Sequence, residues 1–140
     1  MNRLTRCFKN LAARREPAFI VYITAGDPTL EATARFVTEL EQAGTDVIEL
    51  GVPFSDPVAD GVVNQEAAQR ALRHGVTLRD IVSLVGQLRT TTEIPLVLFT
   101  YYNPVLAYGL EGFARDAAGA GVDGVLCVDL PPEEAEDYKR

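Results

Sequence analysis

Two carboxylic acids, Glu49 and Asp60, are the side chains of this sequence whose type and position could carry out a reaction. Glu49 lies in the run from Val47 to Leu50, which is otherwise apolar and predicts a strand covered on both faces. Burial raises the pKa of a carboxyl group, and proteins use this effect to poise Glu as a general acid or base near neutral pH. Asp60 lies in the loop that follows the strand. The pair therefore favours acid–base chemistry.

Simpler interpretations of both carboxylates remain open at this point. The loop from Gly51 to Gly61 contains two prolines and two glycines, so it can hold polar groups in place with little further loss of entropy. Within it, Asp56 precedes Pro and Asp60 precedes Gly, and both are ordinary turn pairs by local rules. For Glu49 the alternative is an ion pair with a neighbouring strand, although the adjoining strands contain no Lys or Arg.

Other catalytic and binding motifs are missing from the sequence. His74 is the only histidine, which leaves a catalytic triad or a zinc site without enough candidate residues. Neither a P-loop nor a G-x-G-x-x-G motif is present. Cys127 is most simply a small core residue, and Tyr101-Tyr102 could form either a pocket wall or ordinary packing. We therefore expect chemistry without a metal ion.

The composition is that of one globular domain, which we expect over residues 1–140. Hydrophobic residues make up 47% and charged residues 24%, which excludes a disordered or collagen-like chain. The formal net charge of −7 disfavours a nucleic-acid binder, and no apolar run approaches the roughly 20 residues of a membrane span. Two distant cysteines, Cys7 and Cys127, argue against a disulfide framework and for a reducing, cytoplasmic location.

A helix over residues 1–16 is predicted from the helical spacing of Leu4, Phe8 and Leu11. The same stretch carries Arg and Lys residues before its first acidic residue, so a transit peptide is the alternative, disfavoured by its few serines. We expect this helix to dock on the rest of the protein.

The elements that must position the two carboxylates alternate between strands and helices. One helix has Asp27 as its predicted cap, and another begins at the capping-box pattern Thr77-x-x-Asp80. A loop containing Asn103-Pro104 is predicted after the third strand. The C-terminal end has residues typical of the start of a helix, but no helical pattern follows them. The predicted strands are 19–24, 46–50, 96–100 and 124–128, and the remaining helices lie near 65–73 and 110–118.

This order of elements predicts a parallel α/β sheet with the reactive loops at the carboxyl ends of its strands. Ala43-Gly44-Thr45-Asp46 before the second strand matches Ala120-Gly121-Val122-Asp123 before the fourth, which indicates one corner built twice. A doubly wound sheet closes at about 140 residues, whereas an eight-stranded barrel needs about 250. Four strands followed by an abrupt stop at Arg140 favour half of a barrel.

The run from Glu49 to Gly61, ELGVPFSDPVADG, resembles the signature of the tryptophan synthase alpha subunit family. The segments YITAGDP at 22–28, TYYNP at 100–104 and VDLP at 128–131 support the resemblance in the family's order, so it covers essentially the whole chain. It implies a (β/α)8 TIM barrel, of which residues 18–140 would form about the first four βα units. It also implies a carbon–carbon lyase of tryptophan biosynthesis, which cleaves indole-3-glycerol phosphate by a retro-aldol reaction into indole and glyceraldehyde 3-phosphate.

The resemblance also implies roles for particular residues. Glu49 would be the general acid–base that moves protons between the glycerol hydroxyl and indole C3, and Asp60 would hold the indole N–H. Tyr22 and Phe99 would line the substrate pocket. The residues that would face a beta-subunit partner are Pro53, Asp56, Asn103, Asp129 and Pro131.

No cofactor is implied for this chain, because the family's pyridoxal phosphate belongs to the beta subunit, and the full-length protein would form an alpha2-beta2 tetramer. Val62-Val63-Asn64 stands where the family has a Pro and an apolar residue, which affects loop rigidity more than chemistry. The family binds the substrate phosphate on later strands, so we expect the 140-residue chain alone to be weakly active or inactive. The alternatives are a non-catalytic half-barrel that docks on a beta-type partner and a different phosphate-sugar barrel enzyme.

Overall fold

The computed structural model of the chain describes residues 2–139, so Met1 and Arg140, the ends of the predicted single domain, lie outside the described residues. The strands are β1 (Ile20–Thr24), β2 (Val47–Gly51), β3 (Leu96–Thr100) and β4 (Gly124–Cys127). The helices are α1 (Arg3–Arg14), α2 (Leu30–Gln42), α3 (Val62–Leu72), α4 (Leu78–Leu88), α5 (Tyr102–Tyr108), α6 (Leu110–Ala120) and α7 (Glu136–Lys139), with a 3-10 turn over Pro132–Glu134.

The four strands form one parallel sheet in the order β1-β2-β3-β4. The register places Tyr22 beside Glu49, Glu49 beside Val97, and Val97 beside Gly124. A doubly wound sheet reverses its strand order at a switch point, whereas a barrel adds each strand beside the last. The consecutive order found here is that of four βα units of a barrel and confirms the predicted parallel α/β class.

The two faces of the sheet differ in how far they are covered. Ile48, Leu50, Leu96 and Leu98 are fully buried and form the core with the apolar sides of the helices. On the opposite face, which alternation gives to the other side chains, Ile20 of β1 is 45% exposed. The near-continuous apolar run at 19–24 predicts a first strand that is buried on both faces, and this prediction is wrong. β1 lies at the edge of the sheet, and helices cover only one of its faces in the described chain.

Helix α1 confirms the predicted N-terminal amphipathic helix. Leu11 is buried, and Arg3 forms ion pairs with Glu93 at 2.7 Å and with Asp123 at 3.5 Å. Asn2 caps the helix through the N–H of Thr5 and also donates to the carbonyl oxygen of Asp123. These contacts hold α1 against the amino ends of β3 and β4.

The two matching segments, 43–46 and 120–123, make the same hydrogen bond through their aspartates. Asp46 accepts a hydrogen bond at Oδ2 from the N–H of Phe19, 27 residues earlier, at 2.8 Å. Asp123 accepts one at Oδ2 from the N–H of Leu96, also 27 residues earlier, at 3.0 Å. In each case the carboxylate at the start of one strand pairs with an amide at the start of the strand before it. Asp123 is buried and also binds Arg89 at 2.6 Å.

Two helices begin at other residues than predicted. The cap of α2 is Thr29, whose side chain accepts from the N–H of Ala32, and not Asp27. Asp27 instead accepts two hydrogen bonds from Arg70 of α3, at 2.9 and 2.7 Å. Helix α3 begins at Val62, three residues before its predicted start near Gln65. The predicted capping box of α4 is confirmed.

The segment after β3 is a helix, α5, where a loop was predicted. Pro104 lies in the first turn of this helix, where a missing N–H breaks no helical hydrogen bond. The C-terminal segment likewise forms short helical turns, including α7, where only a helix start was predicted. None of the helices within residues 2–139 has the length and apolar character that a membrane crossing requires.

Candidate active site

The side chain of Glu49 projects from the middle of β2 on the face opposite Ile48 and Leu50. Helix α1 covers only the amino end of this face, where its Leu4 approaches Gly124. Glu49 is half-buried, where the sequence interpretation expected a buried carboxylate, because the carboxyl end of this face is open. Among residues 2–139 no ion pair involves Glu49, so the alternative of a structural partner on a neighbouring strand is not found there. A carboxylate in this setting can exchange protons with a bound molecule.

Tyr22 and Phe99 form an aromatic wall on either side of β2. Their ring centroids are 5.3 Å apart and their planes meet at 80°, an edge-to-face contact. The Tyr22 ring lies across Gly51, where a Cβ would overlap the phenol oxygen. The wall therefore depends on the absence of a side chain at Gly51, which leaves space for the ring between β1 and β3.

The hydroxyl of Tyr22 contacts Thr24 and lies in the field of both carboxylates. It lies 3.4 Å from Oγ1 of Thr24, and either oxygen could donate. Burial raises the pKa of Tyr22, the contact with Thr24 lowers it, and the charges of Asp60 and Glu49 raise it further. Tyr22 lies beside Glu49 in the strand register, so the structure brings together two residues that the sequence interpretation selected separately.

Asp60 is held by Tyr101, whose function the sequence left open. The Tyr101 hydroxyl donates to Oδ2 of Asp60 at 3.1 Å and accepts from the N–H of Ala59 at 2.9 Å. The ring is 3% exposed and packs against Phe54, with 5.2 Å between centroids. The side chain of Gln65 donates to the backbone carbonyl of Asp60 at 2.9 Å. These contacts fix both the backbone and the side chain of the loop at Asp60.

The phenol of Tyr101 remains protonated in this position. Burial raises its pKa, the N–H of Ala59 lowers it, and the hydrogen bond to Asp60 raises it again. A protonated hydroxyl can donate to Asp60 throughout the neutral pH range. Sequence reasoning could have found this residue only through its position directly after β3, because nothing local indicates its partner.

The residues expected to face a partner lie at the same end of the sheet and, except for one, at the surface. Asp56, Asn103, Asp129 and Pro131 are exposed, whereas Pro53 is buried. Oδ1 of Asp129 accepts from the first N–H of α5, that of Tyr102, at 2.7 Å, and so joins the segments after β3 and β4. These segments border the open site.

The remaining reactive side chains lie apart from the two carboxylates. Cys127 is half-buried at the end of β4, and its thiol donates to Oδ1 of Asp129 at 3.5 Å. Burial, together with that carboxylate, raises the pKa of Cys127 to about 11. His74 is exposed. The described part of the chain contains no group of three His, Cys, Asp or Glu residues arranged to hold a metal ion.

Taken as chemistry, the site combines one carboxylate free to move a proton with a second that is fixed in place. Glu49 lies beside the aromatic wall, and Asp60 lies on the loop above it. An aromatic wall favours a flat apolar ring, and a fixed carboxylate favours a ring N–H or a developing positive charge. The arrangement suits proton transfer to and from a nitrogen-containing aromatic compound.

Comparison with known proteins agrees with this geometry. The family model described as "Tryptophan synthase alpha chain" matches residues 8–140. The tryptophan synthase alpha chain of Geotalea uraniireducens is 58% identical over 139 residues, which are 99% of this chain and 52% of that protein.

Solved structures agree as well. The crystal structure of tryptophan synthase subunit alpha from Legionella pneumophila str. Paris is 46% identical and superimposes with a TM-score of 0.98 over all of this chain and 54% of that one. A structure of the tryptophan synthase a2b2 complex from Pyrococcus furiosus is 44% identical, with a TM-score of 0.82 over 86% of this chain and 51% of that one. The chain thus spans about half the length of the relatives it matches.

Proposed function

The chain belongs to the tryptophan synthase alpha chain family, and on that basis we propose that it carries the acid–base residues for cleavage of indole-3-glycerol phosphate into indole and glyceraldehyde 3-phosphate. The observation that carries the proposal is the Glu49 carboxylate, which has no ion pair among the described residues and lies beside the Tyr22–Phe99 wall. A domain that served only to dock on a partner would have no use for such a group. The same observation disfavours the non-catalytic alternative.

The proposed reaction is a retro-aldol cleavage in which Glu49 moves two protons. A proton added at indole C3 gives a positively charged indolenine, and this makes the bond from C3 to the glycerol carbon breakable. Loss of the proton from the glycerol hydroxyl then forms the aldehyde carbonyl, and the bonding electrons return to the indole ring. General acid–base catalysis of this type contributes about 10²- to 10⁴-fold to a rate.

We assign Asp60 to the indole nitrogen. Its carboxylate would accept the ring N–H and stabilise the positive charge that develops when C3 is protonated, which is the moment at which electrostatic stabilisation is most effective. Tyr22 and Phe99 would hold the flat ring against the sheet. The fixed position of Asp60, through Tyr101 and Gln65, supports this division of work.

We further propose a beta subunit as partner, in an assembly like the a2b2 complex described for Pyrococcus furiosus. The contact surface would include Asp56, Asn103, Asp129 and Pro131, which are exposed beside the site, whereas Pro53 is buried in the same loop as Asp56. Pyridoxal phosphate would belong to the beta subunit, so we assign no cofactor to this chain. We place the protein in the cytoplasm and assign residues 1–140 to the N-terminal part of one TIM-barrel domain.

The test is indole release from indole-3-glycerol phosphate, measured for the 140-residue chain alone and together with the second half of a relative's alpha chain, the part that it does not match. We expect little turnover alone, because the relatives contain as much chain again. We expect turnover in the complemented preparation, and loss of it in Glu49→Gln. Equal turnover by the Glu49→Gln variant would refute the proposal.

A further inference from the structure

Tyr101 has a hydrogen-bonding arrangement that ordinary packing does not require. Its ring already fills space against Phe54, and it is 3% exposed. A phenylalanine would make the same contact. The hydroxyl nevertheless has two partners on one short segment, Oδ2 of Asp60 at 3.1 Å and the N–H of Ala59 at 2.9 Å. One oxygen therefore fixes both the backbone before Asp60 and one oxygen of its carboxylate.

The other oxygen of Asp60, Oδ1, is the one left to accept from a ligand. Among residues 2–139 the side-chain hydrogen bond to Asp60 is made at Oδ2, by Tyr101. A hydrogen bond to one oxygen restrains the rotation of the carboxylate and so favours one direction for its other oxygen. Preorganisation of this kind lowers the cost of orienting an acceptor when charge develops on the substrate.

We propose that Tyr101 is a positioning residue that holds Asp60 by Oδ2 and presents Oδ1 to the N–H of the substrate's aromatic ring. The inference rests on the proposed function, since it takes the ring N–H as the ligand of Asp60. It adds the residue that selects for this N–H. A ring with a methyl group on the nitrogen can neither donate to Oδ1 nor make Asp60 rotate away while Tyr101 holds it, so such a ring is rejected.

The experiment compares Tyr101→Phe with Tyr102→Phe, a neighbouring tyrosine whose ring contacts Tyr138 and not Asp60. The probes are indole and 1-methylindole, which differ only in the ring N–H, and binding to the 140-residue chain is measured by NMR titration. We expect the wild type and Tyr102→Phe to prefer indole by about 10-fold or more, as for a hydrogen bond to a charged group. Tyr101→Phe should lose most of this preference, although its ring remains in place.

The possible results test the positioning function of Tyr101 separately from the assignment of Asp60 to the ring N–H. If Tyr101→Phe keeps the full preference for indole, the positioning function is refuted while the proposed function stands. If the wild type shows no preference, the assignment of Asp60 to the ring N–H fails, and the inference about Tyr101 fails with it. An equal loss of preference in Tyr102→Phe would mean a general packing effect and would also overturn the inference.

A second measurement uses the preparation that cleaves indole-3-glycerol phosphate. Tyr101→Phe is expected to lower kcat by about 10- to 100-fold with a smaller change in KM, because Asp60 acts mainly when the ring becomes charged. Tyr102→Phe should leave both constants near the wild-type values. A change confined to KM in Tyr101→Phe would contradict positioning for the charged state.

Discussion

The phenol of Tyr22 lies directly over the backbone of Gly51, on a neighbouring strand, and a Cβ at Gly51 would overlap the hydroxyl oxygen. The overlapping atoms belong to the outer end of the Tyr22 ring. A side chain at residue 51 would therefore displace this ring from the aromatic wall. The contact joins strands β1 and β2 at the level of the proposed substrate ring. It therefore makes both stability and activity depend on a single missing side chain.

Gly51→Ala is expected to destabilise the chain by about 1–3 kcal/mol, the usual cost of overpacking. Urea unfolding of the 140-residue chain measures this cost. In a Tyr22→Ala background the same change should cost clearly less, because the overlapping ring is gone. Gly61→Ala is the control, since a Cβ there meets nothing within 4 Å. An identical cost with and without the Tyr22 ring would show that the contact is not the cause.

Glu49→Gln keeps the shape of the side chain but removes its ability to exchange a proton. We expect kcat for cleavage in the complemented preparation to fall by about 10²- to 10⁴-fold, with little change in unfolding. Glu39→Gln, on the exposed surface of α2, is the matched control and should retain full activity. Steady-state kinetics of indole release gives the comparison, and a fall of less than about 10-fold would argue for another proton carrier.

Asp123→Asn should strongly destabilise the chain. The carboxylate is buried, binds Arg89 at 2.6 Å and accepts from the N–H of Leu96, and Arg89 itself is 9% exposed at its side chain. Removing the charge leaves the guanidinium buried without its partner, which costs about 3–5 kcal/mol. Chemical denaturation measures the loss. The exposed pair of Arg14 and Glu16 is the control, and its removal should leave the midpoint unchanged.

Cys127 should react slowly with alkylating agents in the folded chain. Burial raises its pKa from 9.0 to about 11, so at about pH 8 the reactive thiolate is roughly 100-fold rarer than in the unfolded chain. A Cys7→Ser variant isolates the rate with iodoacetamide, measured with and without urea. A native rate equal to the rate in urea would contradict the burial of the thiol.

The same thiol predicts how stability changes at alkaline pH. The folded chain keeps the Cys127 proton where the unfolded chain loses it, so this contribution is intact below about pH 9 and is lost as the pH rises toward about 11. Unfolding midpoints of the Cys7→Ser chain should therefore fall across this range more steeply than those of a Cys7→Ser, Cys127→Ser double variant. Parallel curves would exclude the effect.

Asn103→Ala is expected to weaken binding of a beta subunit without changing the unfolding of the chain. The side chain is exposed in the first turn of α5, beside the open site. Calorimetric titration with the beta subunit measures the change, and Gln42→Ala, exposed at the end of α2, is the control. Unchanged affinity in the Asn103 variant would remove this residue from the proposed contact surface.

Local patterns predicted the parts of the fold that local physics decides. The strand of Leu96–Thr100 and the capping box of Thr77 and Asp80 follow from residue types a few positions apart. The cap of α2 was missed because Asp27 is occupied by Arg70, 43 residues away, and no nearby residue indicates that pairing. Helix α5 was missed because Asn103-Pro104 is typical of a loop, although a proline also fits the first turn of a helix.

In the candidate site, too, the residues with a local sequence signal were predicted and those that depend on distant contacts were not. Glu49 could be selected from a single charged residue in an apolar run, and the structure brings Tyr22 close to it. The function of Tyr101 depends on a hydrogen bond to a residue 41 positions earlier, and the chain has two adjacent tyrosines that look alike in sequence. Only the fold distinguishes the tyrosine that holds Asp60 from the one beside it.

The matching carboxylates Asp46 and Asp123 have a consequence for how the chain acquires its shape. Each fastens the start of its own strand to the start of the preceding one across the same 27-residue interval. The alignment of a strand pair is therefore specified within one segment of the chain. As the polypeptide leaves the ribosome, the first strand pair can align before the second has been synthesised. A segment that contains the hydrogen bond aligning its own strands can also be copied whole by duplication.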